Sequence, residues 1–408
     1  MTDIAGELTD GEDFPSARGP GINSLVISPT ALSRQPRQRA MAKRLLRLGN
    51  VTVASNGQPI EDVDWIEIPM NASSRSFNLK CRILLEALFR RPRVSTASAA
   101  RFESITRLDL DSFDLVTVHD LDVLAAVLSS PRSCAVLFDA RELYPEERAD
   151  KLQFRVLHRR RLRRMCVELF PLCDAVITVS DGIASRYEEM TGIRPEVVLS
   201  AKASAGLPEP TPRSEQVIRL LYHGGVNSDR SIATLVRTAE LLDDRFHLDM
   251  YLVGDSNAIS EIKETSDRTG RATVLDPVSP EALIAVGNRY DIGLVLYEPL
   301  NLNLKYCMPN KLFEYIQSNL AIVCGPLEDA GNLVISNGVG LVTPSTDCEV
   351  VANALNQLSR ADVDEMRRRA FETGRRINSD EEDAKACQLI QDIVMANRST
   401  SNDHCVAA

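Results

Sequence analysis

The chain has 408 residues, 44% of them hydrophobic and 25% charged, which is the balance of a soluble globular protein with two or three domains. Its net charge of −10 arises in the second half, because residues 1–200 carry 27 basic and 27 acidic side chains while residues 201–408 carry 20 and 30. These values argue against a nucleic-acid-binding protein, and nine cysteines without a C-x-x-C pair argue against a zinc or disulfide framework.

The first 200 residues alternate short apolar runs with helical stretches. Residues 1–23 hold five acids and little apolar periodicity, so we predict a disordered tail. The predicted strands are residues 24–27, 51–53, 65–68, 115–118, 135–138 and 175–179, and the clearest predicted helices are 39–48 and 77–90. This alternation predicts a parallel sheet with helices on both faces, in a domain that spans residues 24–200.

A proline-rich segment, residues 201–214, has the composition of a linker. The alternation restarts after it and predicts a second α/β domain at 215–380, a helix at 381–397 and a disordered tail at 398–408. The predicted strands are 218–222, 248–253, 292–296, 320–324 and 341–342, and the predicted helices are 232–242, 280–288, 309–319, 350–358 and 382–396. Two similar halves around one linker predict two facing Rossmann-like domains.

The predicted helix at 309–319 carries candidate binding groups near its start. Lys311 and Glu314 lie three positions apart and are therefore neighbours on the helix surface, just after Asn310. The positive helix end and the lysine suit a phosphate, and the carboxylate suits sugar hydroxyls. An ion pair between Lys311 and Glu314 explains the same spacing, so both interpretations stay open.

A second candidate phosphate site follows the first strand of the second half. Gly224 and Gly225 would let the backbone approach a phosphate, and Arg230, just before a helix, would supply a bidentate donor. Gly254 follows the strand at 248–253 in a strand-to-helix turn. A solvated arginine and ordinary strand-to-helix turns are the alternative interpretations.

His119 follows the predicted strand at 115–118. The carboxyl end of such a strand faces the crevice of an open α/β sheet, so His119 could hold a sugar hydroxyl or orient the reacting groups. In the alternative interpretation Asp120 caps the next helix and the histidine has no chemical role.

The run Pro-Asn-Lys-Leu-Phe-Glu-Tyr at 309–315 resembles the donor-site helix of family-4-type retaining glycosyltransferases (glycosyltransferase group 1 type), which have the GT-B fold. The resemblance covers roughly residues 24–345 and implies two facing Rossmann-like domains, a deep cleft and a C-terminal helix that crosses to the first domain. In that family the glutamate, here Glu314, holds the ribose of a nucleotide-sugar. A Gly-Gly loop with a basic residue, here Arg230, clamps the diphosphate. Gly254 is similar to the glycine of the family's strand-end V-G turn, which lies near the nucleotide.

The resemblance also selects residues in the first half. The segment Asp-Ala-Arg-Glu-Leu at 139–143 is similar to the family's D-A-H-E-L, with Arg141 in place of histidine, and makes Glu142 a candidate for contact with acceptor or donor sugar. Gln-Pro-Arg at 35–37 is similar to D-P-R, so that Arg37 either meets the donor phosphates from the opposite domain or is solvated. Tyr306 stands where the family often has a second glutamate.

The resemblance implies transfer of a sugar from a nucleotide-sugar to a glycan, a lipid-linked molecule or a small molecule. It implies retention of the anomeric configuration, no metal and no cofactor beyond the nucleotide-sugar, and suggests cell-envelope glycan biosynthesis. One alternative is a nucleotide-sugar 2-epimerase of similar fold. Another is a non-catalytic, degenerate binding module, which the departures at Arg141 and Tyr306 favour.

Two basic segments interleave cations with apolar side chains: residues 151–165, which contain no acid, and residues 77–93. They predict either contact with an anionic membrane or ordinary core helices with a solvated basic face. No apolar run approaches the roughly 20 residues that span a bilayer, and no secretory leader opens the chain. We therefore expect a cytoplasmic protein, peripheral on the inner face of the membrane if these segments bind it.

Overall fold

In the computed structural model the chain forms two parallel sheets, each flanked by helices, with a cleft between them. The residues described are 21–28, 30–32, 35–57, 62–68, 104–226 and 232–406, with side chains described as far as 399. The predicted helix at 77–90 lies outside them.

The first sheet has seven strands within the described residues. They are β1 Ser24–Ser28, β2 Val51–Ser55, β3 Asp64–Glu67, β4 Leu115–Val118, β5 Ala135–Asp139, β6 Ala175–Thr178 and β7 Glu196–Val197. Their order is β3-β2-β1-β4-β5-β6-β7, and neighbouring strands are parallel. The carboxyl ends of these strands therefore meet at one edge, where the loops that carry the candidate residues emerge.

Helices cover both faces of this sheet. They are α1 Pro36–Leu46, α2 Leu121–Ser129, α3 Arg160–Leu169 and α4 Asp181–Thr191, and a π-helical turn at Arg155–Arg159 precedes α3. Local signals fix their ends: the Asp120 carboxylate accepts from the Asp122 and Val123 N–H groups at the start of α2, and left-handed Gly192 ends α4. The capping role considered for Asp120 is thus confirmed.

In the part of the chain that the structure describes, the second sheet has six parallel strands in the order β10-β9-β8-β11-β12-β13. They are β8 Ile218–Gly225, β9 Phe246–Val253, β10 Ala272–Leu275, β11 Ile292–Val295, β12 Ala321–Cys324 and β13 Gly340–Val342. The accompanying helices are α5 Ile232–Leu241, α6 Ser256–Thr269, α7 Leu283–Gly287, α8 Leu302–Lys305, α9 Asn310–Gln317, α10 Glu328–Asn337, α11 Cys348–Asn356 and α12 Arg360–Arg376. Residues 201–214 join the two halves without a helix or strand.

The last helix, α13 Ser379–Val406, returns to the first half. Ala386, Ile390 and Val394 are buried in the apolar cluster that covers one face of the first sheet. Arg44 of α1 forms an ion pair with Asp383, with 2.7 Å between Nη2 and Oδ1. The first half is therefore completed by residues from the far end of the chain. The helix also continues through residues 398–406, for which the sequence predicts a tail.

Candidate functional site

A cleft of about 450 Å³ lies between the two halves and is lined by both. Its first-half wall comes from the loops after β1, β5, β6 and β7, and its second-half wall comes from the end of β8 and from the segment that contains α8 and α9. The charged and polar lining residues are Arg37, Arg141, Glu142, Ser200, His223, Asn303, Asn310, Lys311 and Glu314. The structure thus brings together Arg37, Glu142, Gly224 and the three candidates on α9.

Helix α9 forms the centre of the second-half wall. Pro309 is its N-cap and Asn310 its first residue, one position later than the sequence suggests. Leu312, Phe313 and Ile316 are buried, as predicted from their spacing. Asn319 adopts the predicted left-handed conformation, with φ of 57°. Apolar packing of this face turns the opposite face of the helix start toward the cleft.

Lys311 is almost fully buried against aromatic rings. Its Nζ lies 3.8 Å from the centroid of the Tyr222 ring and 5.2 Å from that of Tyr297. The faces of such rings attract a cation, which helps to hold a charged side chain inside the protein at the start of α9.

Glu314 forms an ion pair with Lys202, which lies in the segment between the two halves. Lys202 Nζ lies 3.0 Å from Oε1 of Glu314, and His223 Nε2 lies 3.4 Å from Oε2. The carboxylate is therefore held between β8 and residue 202. Sequence reasoning missed Lys202 because no motif surrounds it and 112 positions separate it from Glu314.

Two glycines, one near the end of β8 and one just after β9, have backbone conformations that favour glycine. Gly224 has φ of 135° and lines the cleft, whereas Gly254 has φ of 138° and does not line it. Gly225 ends β8 and pairs with Val253. Arg230 lies outside the described residues.

Arg37 is fixed on the first-half wall by a buried carboxylate. Its Nε lies 2.9 and 2.7 Å from the two oxygens of Asp139, and its Nη1 donates to Val198 O and Ser200 Oγ at 3.0 Å each. Burial would raise the pKa of Asp139, but the Arg37 charge and the neighbouring His119 side chain outweigh it and hold that pKa well below its usual range. The solvated alternative for Arg37 does not describe this arrangement.

His119 is not among the cleft residues. Its side chain is fully buried, and Nδ1 lies 3.2 Å from Oδ2 of Asp139. In this conformation it cannot touch a substrate in the cleft, because its side chain has no exposed surface there. The structure therefore places His119 as support for the Asp139 carboxylate, not as a group that contacts reacting atoms.

Glu142 lines the cleft and is held by a residue of the other half. Its Oε2 accepts from Asn303 Nδ2 at 2.6 Å, while Asn303 Oδ1 accepts from the Leu143 N–H at 2.7 Å. Burial raises the pKa of Glu142, and the Asn303 hydrogen bond and the Arg141 charge oppose that rise. Asn303 was missed from the sequence because no pattern marks a residue whose partners are 160 positions away.

Tyr306 joins the halves where the resembling family often has a glutamate. Its ring is buried in the apolar cluster of the first half. Its carbonyl accepts from Ser180 Oγ at 2.8 Å, and its hydroxyl accepts from Arg186 Nη2 at 3.1 Å. A Cβ at Gly182 would clash with the ring. The departure from the family pattern thus provides a contact between the halves.

Comparisons with known proteins establish the fold. No family model matches the sequence, and no curated protein matches it. Among solved structures, a glycosyltransferase from Rickettsia africae ESF-5 is 16% identical, with a TM-score of 0.63 over 92% of this chain and 99% of that one. Sucrose-phosphate synthase from Thermosynechococcus elongatus is 12% identical, with a TM-score of 0.68 over 92% and 100%.

The Anabaena protein HepE, solved in complex with UDP and glucose, is 10% identical, with a TM-score of 0.65 over 91% of this chain and 100% of that one. At such identities the likeness shows architecture, and it extends over nearly the whole of each chain. The chain has the GT-B fold, as the sequence resemblance predicts. No helix in the described residues is long and apolar enough to cross a membrane.

Proposed function

We propose that this protein is a retaining, metal-independent glycosyltransferase of the family-4 type, which transfers a sugar from a nucleotide-sugar to an acceptor hydroxyl. The observation that carries the proposal is the position of α9. The start of this helix, with Lys311 and Glu314, faces Arg37 and Glu142 across a cleft at the carboxyl ends of both sheets. The structural similarity to glycosyltransferases supports the same assignment.

The nucleotide-sugar would lie against the second half. The Glu314 carboxylate, which Lys202 holds in place by an ion pair, would accept hydrogen bonds from the ribose hydroxyls. The backbone at Gly224 and the start of α9, with Asn310 and Lys311, would receive the diphosphate.

The transfer breaks the bond between the anomeric carbon and the diphosphate oxygen and forms a bond from that carbon to the acceptor oxygen. The electron pair and the acceptor proton leave with the diphosphate, so the products are a glycoside and a nucleoside diphosphate. Lys311 and the helix start would stabilise the charge that develops on the leaving group. Glu142 lies on the opposite wall, where its carboxylate can accept a hydrogen bond from the acceptor hydroxyl.

Substitution Glu314→Gln tests the donor site. It keeps the side chain's shape but weakens charge-assisted hydrogen bonds, each of which contributes about 1.5–3 kcal/mol. We expect the affinity for the preferred nucleoside diphosphate among UDP, ADP and GDP to fall roughly ten- to a hundredfold in calorimetric titration. Glu264→Gln, on the exposed face of α6, is the control and should bind as the wild type does.

Equal affinity of Glu314→Gln and wild type would remove this residue from the site. Binding of none of the three diphosphates to the wild type would contradict the glycosyltransferase proposal. Conversion of a nucleotide-sugar without any acceptor would instead identify an epimerase.

We extend the proposal to an anionic membrane surface on the cytoplasmic side, contacted by residues 151–165. Leu152 and Val156 are 66% and 61% exposed. They lie about one helical turn apart, and each follows a cation, Lys151 or Arg155. The C-terminal part of the segment packs against the first half, since Leu162 and Met165 contact its core cluster. Exposed apolar side chains within a basic segment suit insertion beneath anionic headgroups. Residues 77–93 lie outside the described part of the chain.

Vesicle co-sedimentation tests this surface. We expect binding to anionic and not to neutral vesicles at low salt, weakened roughly tenfold by the double substitution Leu152→Ser/Val156→Ser. Val217→Ser, 45% exposed elsewhere, is the matched control and should bind normally. Equal binding to the two kinds of vesicle would contradict the proposal.

A further inference from the structure

Two arginines on the first-half wall of the cleft hold donor groups without protein partners. Among the described residues, no acceptor is within hydrogen-bond range of Arg37 Nη2 or of Arg141 Nε, and both atoms are buried. Buried polar groups almost always have a partner, and a cationic N–H without one is especially costly. Both arginines line the cleft, so a bound ligand is the available partner.

The two guanidinium groups are held by contacts between the same two segments. Arg37 pairs with Asp139, the last residue of β5. Arg141, two residues further on, donates through Nη1 to Gln35 Oε1 at 2.7 Å, and Gln35 lies two residues before Arg37. These contacts bind the loop before α1 to the loop after β5. They leave the remaining N–H groups fixed in direction, which is the geometry that recognises an oxyanion.

The acidic groups near this pair are already balanced. Asp139 is fully buried and faces Arg37 from behind, and Glu314 on the opposite wall is paired with Lys202. Glu142 follows Arg141 in the chain and is occupied on one oxygen by Asn303. Its other oxygen can accept from a hydroxyl. A ligand that satisfies this wall therefore combines an anionic group with a hydroxyl.

We propose that Arg37 and Arg141 bind a phosphate or carboxylate group of the acceptor, which makes the acceptor a hydroxylated anion such as a sugar phosphate or a sugar acid. This inference rests on the proposed glycosyltransferase function and names its acceptor class. The donor diphosphate has its own candidate groups on the second half, at Gly224, Asn310 and Lys311. The alternative source of the anion is that same diphosphate, which is the role the sequence resemblance gives Arg37.

Acceptors that differ only in charge show whether the bound anion belongs to the acceptor or to the donor diphosphate. With the donor found by titration, transfer is measured to a hexose, its 6-phosphate and its uronic acid. We expect a charged acceptor to exceed the neutral hexose in kcat/KM by about tenfold or more. Inorganic phosphate should compete with the acceptor and not with the donor. Equal use of neutral and charged acceptors, or competition of phosphate with the donor alone, would overturn the inference.

Substitution Arg141→Gln locates the effect. It should raise the KM of the charged acceptor about tenfold, by loss of a hydrogen bond to a charged group, and leave the KM of the donor within about twofold. Arg141→Lys keeps the charge but loses the planar geometry, and should be intermediate. Arg194→Gln, at an exposed position just after α4, is the control. A rise confined to the donor KM would assign the pair to the diphosphate.

Failure of this inference can be told from failure of the proposed function. Transfer to neutral acceptors only, with normal nucleotide binding, would contradict the anionic acceptor but keep the glycosyltransferase. A chain that binds no nucleoside diphosphate and transfers no sugar would contradict both. Melting curves of each variant show whether a lost signal reflects unfolding, and phosphate competition in the wild type needs no variant.

Discussion

At the scale of single residues, Asp139 determines the shape of the first-half wall. It lies at the end of β5, fully buried, and holds Arg37 on one side and His119 on the other. Arg37, which lines the cleft, is thus positioned by Asp139, which is too deeply buried to contact a ligand. The cost of burying the carboxylate is offset only while its cationic partner is present.

We expect Arg37→Gln to destabilise the protein by about 3–5 kcal/mol at neutral pH, because Asp139 keeps its burial and loses its cation. The folded-state pKa of Asp139 is lowered, so the stability from the pair is present above the ordinary carboxyl pKa of about 4 and is lost as pH falls below it. Urea unfolding of wild type and variant should therefore differ most near pH 7 and converge in strong acid.

Arg194→Gln is a suitable control for this measurement, since it removes an exposed pair with Glu188 and should cost at most about 1 kcal/mol. Equal losses in the two variants would mean that the buried pair contributes no more than a surface one.

Residues that lie in motifs were predictable, and residues that act through distant contacts were not. Glu314, Lys311, Glu142 and Arg37 were selected from local sequence and all line the cleft. Lys202 and Asn303 have no local signal, since their partners are brought to them by the packing of the two halves. His119 was selected because it follows a strand, and strand position does not determine which way a side chain is buried.

At the scale of helices and strands, apolar periodicity predicts the elements that are buried in the core. It does not predict the elements that are mostly polar. Strands with four or more consecutive apolar residues were found within a residue or two. The elements that the sequence does not predict are the short edge strands β7 and β10, the four-residue helix α8, and α6, α10 and α12, whose sequences are polar or weakly periodic. Such helices gain their stability from tertiary packing and capping, as with the Ser359 capping box of α12.

Tyr306, between α8 and α9, tests how these two helices are held to the first half. Tyr306→Ala removes a buried ring and should cost about 3–4 kcal/mol, with a measurable increase in the radius of gyration if the halves separate. Tyr306→Phe loses only the hydrogen bond with partly exposed Arg186 and should cost about 1 kcal/mol or less. Equal effects of the two variants in unfolding and X-ray scattering would show that the ring does not join the halves.

At the scale of the whole molecule, the two halves depend on each other through α13. Ile390 is fully buried against the first sheet, more than 300 residues from β1 in sequence. Ile390→Asp places an unpaired carboxylate in that cluster and should destabilise the fold by about 4 kcal/mol or more. Met395→Asp, on the exposed side of the same helix, should change stability by about 0.5 kcal/mol or less.

Chemical denaturation followed by far-UV circular dichroism compares the two variants. Loss of the first half alone, in a separate transition, would show that α13 stabilises that half and that the second half folds without it. An unchanged midpoint for Ile390→Asp would contradict the packing described.

The position of α13 also sets an order of events during synthesis. The strands of the first sheet leave the ribosome long before this 28-residue helix is translated. Until then, the apolar surface that Ala386, Ile390 and Val394 will cover stays open to solvent. Exposed surface of this kind is what chaperones bind and what drives aggregation of nascent chains. The first half is therefore synthesised first but completes its folding last. We expect the yield of folded protein to depend on how quickly the rest of the chain is translated.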